Sequence, residues 1–301
     1  MPSNGDQELQ LPQGTIRYRE YGSGEPIVFV HGLLVNGQLW RKVVPLLAGR
    51  YRCLVPDWPL GSHAVPLSAG ADYSPPGLAR LIADFIAALG LKEVTLVGND
   101  TGGALCQIVV TEHPERIGRL VLTNCDCFEN FLPPFFRPLQ YGAHIPGFLF
   151  LLLQTMRLEA MRNLPMAYGW LAKRRMDRAL TYSYIRPALD NHVIQREVGN
   201  ILKGISPRYT LAAAEKLPRF SRPVLLAWAK EDRFFRFAHA QKLSRLFPNA
   251  RLEAIADSYT FVPEDQPERL AELIDEFMSE PQKESTQPSQ AGAGSLEAPS
   301  R

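Results

Sequence analysis

An acidic residue stands at the centre of a short run of small residues, Gly98–Gly103, with the sequence GNDTGG. The β-branched segment 94–97 before it is typical of a buried strand, and the apolar segment 104–110 after it is typical of a helix. Small neighbours let a strand and a helix approach closely around one strained, exposed residue, as in a nucleophile elbow. Serine is the usual occupant and performs acyl transfer. Asp100 at this position predicts attack of a carboxylate on carbon.

A second run of interest, His31-Gly32, directly follows an apolar strand. In a parallel sheet this position lies at the carboxyl end of the strand, where ligands bind. We expect the backbone N–H of Leu33 to face developing negative charge, with the N–H of Thr101 as the second donor of an oxyanion hole. His31 is interpreted as a residue that shapes this loop and not as a base. Gly32 and the nearby Asn36 are expected to line the site.

The elements that must position these residues alternate along the chain. Strands alternating with helices predict an α/β fold, with a mostly parallel sheet covered by helices on both faces. The predicted strands are 15–21, 26–30, 51–56, 93–97, 119–124, 223–228 and 251–255, and the predicted helices are 76–89, 104–110, 238–246 and 270–278.

The alternation stops in one internal segment, 128–217, which is rich in Leu, Met, Phe and Arg and shows no convincing strand. It is predicted to be a helical lid over the carboxyl ends of the strands. The core is then formed by residues 1–127 and 218–280. Residues 281–301 are rich in Ser, Gln, Pro, Gly and Ala, and we expect a disordered tail there.

Composition excludes several classes of function. A net charge of +2 with scattered basic residues gives no reason to expect a nucleic-acid partner. The strongest apolar run, 148–153, is far too short to span a bilayer, and no membrane partner is expected. Spacing and density of the cysteines fit neither a zinc site nor a disulfide scaffold, which favours buried, reduced thiols in a cytoplasmic protein without a metal or cofactor. These cysteines are Cys53, Cys106, Cys125 and Cys127.

The chain resembles the α/β-hydrolase fold superfamily over nearly its whole length before residue 281. An Asp nucleophile is similar to the haloalkane dehalogenase and epoxide hydrolase branch. In that branch the carboxylate displaces halide or opens an epoxide, and a His-activated water hydrolyses the resulting ester. The resemblance implies that Asp232 is the acid that orients the His. The matching pieces are His31-Gly32, Pro56-Asp57, the elbow 98–103, the turn His113–Arg116 and the run Lys230–Asp232.

Several positions depart from the patterns of this branch. Dehalogenases usually have Trp after the nucleophile, where this chain has Thr101, and Asn after His-Gly, where it has Leu33. Epoxide hydrolases have Pro at the position of Leu34. The catalytic His position, laid against the run 257–265 (DSYTFVPED), is occupied by Thr260. Threonine cannot take up a proton near neutral pH, so the usual general base is missing.

Other residues are candidates for the missing function. His63, in the loop after the strand 51–56, is the best candidate for a relocated base. The alternative is that His63 is a surface-loop residue without a catalytic role. Asp126 is a second acid just past the strand 119–124, while Asn124 aligns with an acid that serves some dehalogenases. Asp232 either keeps a catalytic role or is a structural acid.

Three functions remain open from the sequence. The first is a hydrolase in which Asp100 attacks a small apolar electrophile such as a haloalkane, an epoxide or an ester-like compound. The second is a lyase, cyclase or decarboxylase that uses Asp100 as a base or anchor. The third is a catalytically silent ligand-binding protein. Apolar residues of the predicted lid favour a hydrophobic pocket, and a pair of its tyrosines would suit an epoxide hydrolase; the candidates are Tyr141, Tyr168, Tyr182 and Tyr184.

Overall fold

A computed structural model describes residues 5–280, and the predicted disordered tail lies outside them. Eight strands form one sheet in the order β1-β2-β4-β3-β5-β6-β7-β8. β2 runs antiparallel to both of its neighbours, β1 and β4, and the pairings in the rest of the sheet, from β4 to β8, are all parallel. The strands are β1 (Asp6–Leu11), β2 (Gly14–Tyr21), β3 (Pro26–Val30), β4 (Arg52–Pro56), β5 (Val94–Asp100), β6 (Ile117–Cys125), β7 (Val224–Ala229) and β8 (Ala250–Ile255).

All seven predicted strands are present, and β1 is an addition that the sequence analysis missed. Its residues alternate between exposed and half-buried because β1 is an edge strand with one face in solvent. The central strands differ: every residue of β5 and of β6 is buried. Burial along the whole length is expected of strands that are covered on both faces, and it agrees with the apolar residues in the middle of each strand.

The four predicted helices are also present, and twelve α-helices occur in the described residues. Helix α3 begins directly after β5 and packs on β5 and β6. The helices are α1 (Val44–Leu47), α2 (Pro75–Ala88), α3 (Thr101–Glu112), α4 (Arg137–Gly142), α5 (Phe148–Thr155), α6 (Glu159–Arg162), α7 (Arg178–Asp190), α8 (His192–Gly204), α9 (Pro207–Lys216), α10 (Phe237–Leu246), α11 (Val262–Asp265) and α12 (Pro267–Ser279).

The segment 128–217, called the insertion below, contains helices α4 to α9 and no strand. Helix α9 packs against α3, so the end of the insertion lies with the helices of the core. Another contact fixes the insertion to the loop after β8: the Asp265 carboxylate accepts the backbone N–H groups of Lys173 and Arg174, at 2.8 and 3.0 Å. The same carboxylate accepts the N–H of Tyr259 at 3.0 Å.

The four cysteines are buried and unpaired, as predicted. Burial raises the pKa of the Cys53 thiol to about 12, and it raises the pKa of the other three well above the usual thiol value. Thiolate, the reactive form, is therefore scarce at neutral pH. Across residues 5–280, no helix is both long enough and apolar enough to span a bilayer.

Candidate active site

Asp100 occupies the sharp turn between β5 and α3. Its backbone angles are φ 56° and ψ −133°, which are unusual for a residue with a side chain. The turn is possible because Gly102 has no side chain: a Cβ there would lie 2.4 Å from the carbonyl oxygens of both Val30 and His31. The local sequence therefore produces the strand–turn–helix geometry of a nucleophile elbow.

The Asp100 side chain lines a cavity of about 240 Å³ between the sheet and the insertion. Leu33 and Thr101, the two predicted oxyanion-hole residues, line it as well. Most of the other lining residues are apolar and belong to the insertion, among them Leu132, Phe136, Phe148, Leu152, Leu153, Met156, Leu164 and Leu171. Such a lining favours a small, apolar ligand.

The cavity offers few polar groups other than Asp100. Three hydroxyl groups line it, and each already donates a hydrogen bond. The Thr101 hydroxyl donates to Asp126, the Thr155 hydroxyl to the Leu152 carbonyl at 2.7 Å, and the Tyr168 hydroxyl to the Leu34 carbonyl at 2.6 Å. Among the described residues that line this cavity there is no histidine.

The carboxyl group of Asp100 is difficult to ionise. Burial and, to a smaller extent, the charge of Asp232 raise its pKa to about 7, although the hydrogen bond from the Thr101 N–H acts in the opposite direction. A half-ionised carboxylate in an apolar cavity is poorly solvated, and it is therefore a stronger nucleophile and base than an exposed one.

Gly32 lies directly against the Asp100 carboxylate. A Cβ at position 32 would lie 2.2 Å from Oδ2 of Asp100, well inside van der Waals contact. We expect Gly32→Ala to displace the carboxylate and to lower any Asp100-dependent rate by about 100-fold, the cost of a misplacement near 1 Å. The measurement is the initial rate beside a thermal melt, with Gly49→Ala as the control, because a Cβ at position 49 meets nothing within 4 Å. An unchanged rate in Gly32→Ala would contradict this placement.

His31 shapes the loop beside Asp100. Its Nε2 accepts the backbone N–H of Trp58 at 2.8 Å, so Nδ1 carries the proton and donates to the Gly32 carbonyl at 2.9 Å. Burial lowers the pKa of His31 to about 3, which keeps the ring neutral. With both ring nitrogens engaged, His31 has no free nitrogen to act as a base.

Asp232 lies in the turn after β7, where its Oδ1 accepts the N–H groups of Phe234 and Phe235, at 2.7 and 3.0 Å. Within the described chain, Oδ2 of Asp232 and the hydroxyl of Thr260 have no well-formed hydrogen bond. Burial raises the pKa of Asp232 to about 6, while nearby groups, Thr260 and Asn124 among them, lower it. Asp232 and Thr260 are therefore neighbours, and Oδ2 of Asp232 and Oγ1 of Thr260 are both buried without a well-formed hydrogen bond.

Asn124 and Asp126 lie at the end of β6, outside the lining of the cavity. Asn124 holds the β7 turn, accepting the Ala229 N–H at 2.7 Å and donating to the Ala229 carbonyl at 3.2 Å. Burial raises the pKa of Asp126 well above the usual range, and the charge of Asp100 adds to this. The Asp126 carboxyl accepts the Thr101 hydroxyl at 3.3 Å.

Two predicted site residues are corrected by their contacts. His63 is buried and does not line the cavity: its Nε2 hydrogen-bonds to Glu197 of α8 at 2.6 Å, and Nδ1 accepts the Gly61 N–H at 3.3 Å. The loop histidine thus joins the core to the insertion and is not a base beside Asp100. Asn36 also lies outside the lining, because its side chain caps a 3-10 turn by accepting the Gln38 N–H at 3.0 Å.

Asn99 is a site residue that the sequence analysis missed. Its side-chain amide donates to the Thr260 carbonyl and to the Thr123 hydroxyl, both at 2.8 Å, and so fixes the loop after β8 beside the elbow. The signal in the sequence is an amide side chain at the end of an apolar strand, directly before the residue of the elbow. Of the four tyrosines considered, Tyr168 alone lines the cavity, so the pair expected of an epoxide hydrolase is not found among the described lining residues.

Comparison with protein families gives a match over residues 25–267, to the family described as alpha/beta hydrolase fold. The chain belongs to the α/β-hydrolase fold family. This agrees with its eight-stranded, mostly parallel sheet and with the elbow at Asp100. Relatives of this chain include an uncharacterised hydrolase of Bacillus subtilis and a haloalkane dehalogenase, which supports a hydrolytic function for this α/β-hydrolase.

Curated relatives of this α/β-hydrolase include haloalkane dehalogenase 2 of Mycobacterium tuberculosis, 29% identical, with 87% of this chain and 91% of the relative covered. A cis-3-alkyl-4-alkyloxetan-2-one decarboxylase of Shewanella oneidensis is 28% identical, with 90% and 87% covered. Among solved structures, the epoxide hydrolase CorEH superposes with a TM-score of 0.77 at 17% identity, covering 91% of this chain and 98% of that one. That similarity concerns the fold alone.

Proposed function

We propose that this protein is an enzyme in which the Asp100 carboxylate attacks a saturated carbon of a small apolar electrophile and forms an ester. As the ester forms, the carbon–halogen bond of a haloalkane breaks to release halide, or the carbon–oxygen bond of an epoxide breaks to give an alkoxide. The observation that carries the proposal is the position of that carboxylate at the elbow, in an apolar cavity. The curated haloalkane dehalogenase supports it, because its name describes displacement at carbon. One carboxylate oxygen of Asp100 becomes the ester oxygen, and the other becomes the carbonyl oxygen beside the Thr101 N–H.

In the hydrolytic route, water then attacks the carbonyl carbon of the ester, which releases an alcohol and restores Asp100. The Thr101 N–H, with that of Leu33 beside it, would stabilise the oxyanion of this step. Water needs a proton acceptor, and no histidine is present among the described lining residues. Asp232 lies outside the cavity lining, but it is close enough for its charge to raise the pKa of Asp100, and its own pKa is raised to about 6 by burial; it is the acceptor that we assign to this route.

A second route needs no acceptor for water. In a 3,4-dialkyl β-lactone, attack of Asp100 on C4 breaks the C4–O bond and leaves a carboxylate on C3. Loss of carbon dioxide then supplies the electron pair for a C3–C4 double bond and expels Asp100 unchanged. No water is consumed and no proton moves.

Two observations favour this second candidate. The hydroxyl groups of the lining already donate elsewhere, so a departing halide or alkoxide finds little stabilisation, whereas a strained lactone releases a delocalised carboxylate. A curated relative is also an oxetan-2-one decarboxylase, and an oxetan-2-one is a β-lactone.

The experiment supplies a bromoalkane and a cis-3,4-dialkyl β-lactone separately, in water enriched in oxygen-18. Hydrolysis yields an alcohol and, because water attacks the carbonyl carbon, places oxygen-18 in the Asp100 side chain. The lactone route yields an alkene and carbon dioxide and leaves Asp100 unlabelled. Absence of product and of an Asp100 adduct across a panel of both classes and of epoxides would contradict the proposed function.

The ester-forming step should depend on pH in a defined direction. Only the anion attacks, and the pKa of Asp100 is raised to about 7 by burial. The rate of ester formation is therefore expected to rise about tenfold per pH unit below 7 and to level off above 8. Single-turnover kinetics against pH measure this. A plateau reached already near pH 5 would mean that Asp100 is not desolvated in the working enzyme.

A further inference from the structure

The outer surface of the insertion is unusually apolar around the mouth of the cavity. Helix α5 has apolar residues on its inner and outer faces. Phe148 and Leu152 line the cavity, while Phe150 and Leu151 are exposed to solvent, and Leu151 is 66% exposed. A helix that is apolar all round is normally buried on every side. On its outer face, Phe150 contacts the His192 ring at a centroid distance of 6.3 Å, yet Phe150 and Leu151 remain largely exposed.

Neighbouring residues extend this surface. Leu164 and Met166 are exposed and also line the cavity, so the cavity opens within the apolar surface. Tyr141, Ile145 and Leu158 are each more than half exposed. We call the five exposed residues that do not line the cavity the outer patch; they are Tyr141, Ile145, Phe150, Leu151 and Leu158. Large exposed apolar side chains concentrated in one segment of the chain are typical of a binding surface.

Charge around the outer patch is of one sign. Within residues 134–167, all of them described, Arg137 and Arg157 are exposed and make no ion pair, whereas the one acid, Glu159, is paired with Arg175 and Arg178. The insertion as a whole carries twelve Lys and Arg against six Asp and Glu, although the chain has a net charge of only +2. Arg137 and Arg157 are thus unpaired positive charges in the same segment as the outer patch.

We propose that the outer patch docks on an anionic phospholipid surface, so that apolar substrate enters the cavity from the lipid. Exposed Leu and Phe side chains insert at the interface while Arg137 and Arg157 contact anionic headgroups. The sequence suggested no membrane partner because no segment is long enough to span a bilayer. Peripheral docking requires no such segment. Unlike the proposed reaction at Asp100, docking can be measured without any substrate.

The test is flotation of the full-length protein with vesicles of phosphatidylcholine, alone or mixed with phosphatidylglycerol. We expect binding to the mixed vesicles, about tenfold weaker binding to phosphatidylcholine, and loss of binding at high salt. Leu151→Asp should weaken binding about tenfold, and Arg157→Glu about fivefold or more.

Matched control substitutions are available at exposed positions outside the insertion. Leu46→Asp replaces a leucine that is 53% exposed on α1, and Arg245→Glu replaces an exposed, unpaired arginine on α10; both should bind like the parent. Thermal melts verify that each variant folds. Binding to neither vesicle, or binding that Leu151→Asp leaves unchanged, would overturn the proposal. So would sedimentation that shows a dimer which Leu151→Asp dissociates, with no vesicle binding, because a second copy would then cover the patch.

Discussion

Replacing Asp100 by Asn is expected to lower the rate with any accepted electrophile by at least about 10⁴-fold, as removal of a nucleophile does in other enzymes. The amide has nearly the same shape, so the cavity and the elbow should be preserved. It carries no charge and cannot attack carbon. The measurement is turnover with the haloalkane and lactone panel, followed with purified protein whose fold is verified by circular dichroism.

The same variant should be more stable than the parent at high pH. The pKa of Asp100 is raised from 3.8 to about 7, so folding favours the protonated form and stability falls as pH rises between these values. Above pH 7 the buried charge costs up to about 4 kcal/mol, and Asn removes this cost. Denaturation at pH 8 and at pH 4 should therefore show a gain for Asp100→Asn that is much smaller at pH 4.

Asp126→Asn is the matched control for both measurements. Asp126 is also a buried acid near the elbow, but burial raises its pKa well above the usual range and it does not line the cavity. Asn keeps a side-chain oxygen that can accept the Thr101 hydroxyl. We expect near-parental rates from Asp126→Asn. If Asp126→Asn lowered the rate as much as Asp100→Asn, the loss would reflect damage to the elbow, and it would no longer support Asp100 as the nucleophile.

Thr260→His is expected to accelerate hydrolysis of an Asp100 ester by about 100-fold or more, the usual contribution of a positioned general base. Thr260 and Asp232 are neighbours, and each has a buried polar atom without a well-formed hydrogen bond. An imidazole at position 260 would donate to the free Oδ2 of Asp232 and take a proton from water. Multiple-turnover rates with a bromoalkane measure the gain.

Thr260→Asn controls for this gain, because it enlarges the same buried side chain without adding a base. Adding Asp232→Asn to Thr260→His should remove most of the acceleration, since the imidazole would lose the acid that orients it. If Thr260→His folds and forms the ester but hydrolyses it no faster than the parent, position 260 does not face the reacting centre. The second, water-free route would gain nothing from Thr260→His, so a lactone substrate provides a further comparison.

Much of the fold and the position of Asp100 could be predicted because the signals are local. A strand, a run of small residues and a helix follow one another directly at 94–112, and their geometry needs no distant partner. The apolar residues in the middle of β5 and β6 are also a local signal for buried strands. In β1, by contrast, one face is exposed, and its polar residues conceal a strand that exists only because it pairs with β2.

The surroundings of Asp100 were harder to predict because they depend on contacts between distant parts of the chain. His63 faces Glu197, 134 positions later, and this contact turns a candidate base into a structural residue. Asn99 reaches the Thr260 carbonyl, 161 positions away. Neither partner could be deduced from spacing, since each depends on how the insertion and the last loop fold back over the sheet.

Intact-protein mass spectrometry tests the central claim most directly. The protein is incubated with a bromoalkane above pH 7, quenched in acid and digested to locate any added mass. A single alkyl group on Asp100, formed in the parent and in Thr260→Asn but absent from Asp100→Asn, is the predicted result. The four thiols are buried with raised pKa values and should remain unmodified. Turnover without an adduct on Asp100, even after rapid quenching, or an adduct that persists in Asp100→Asn, would contradict the account.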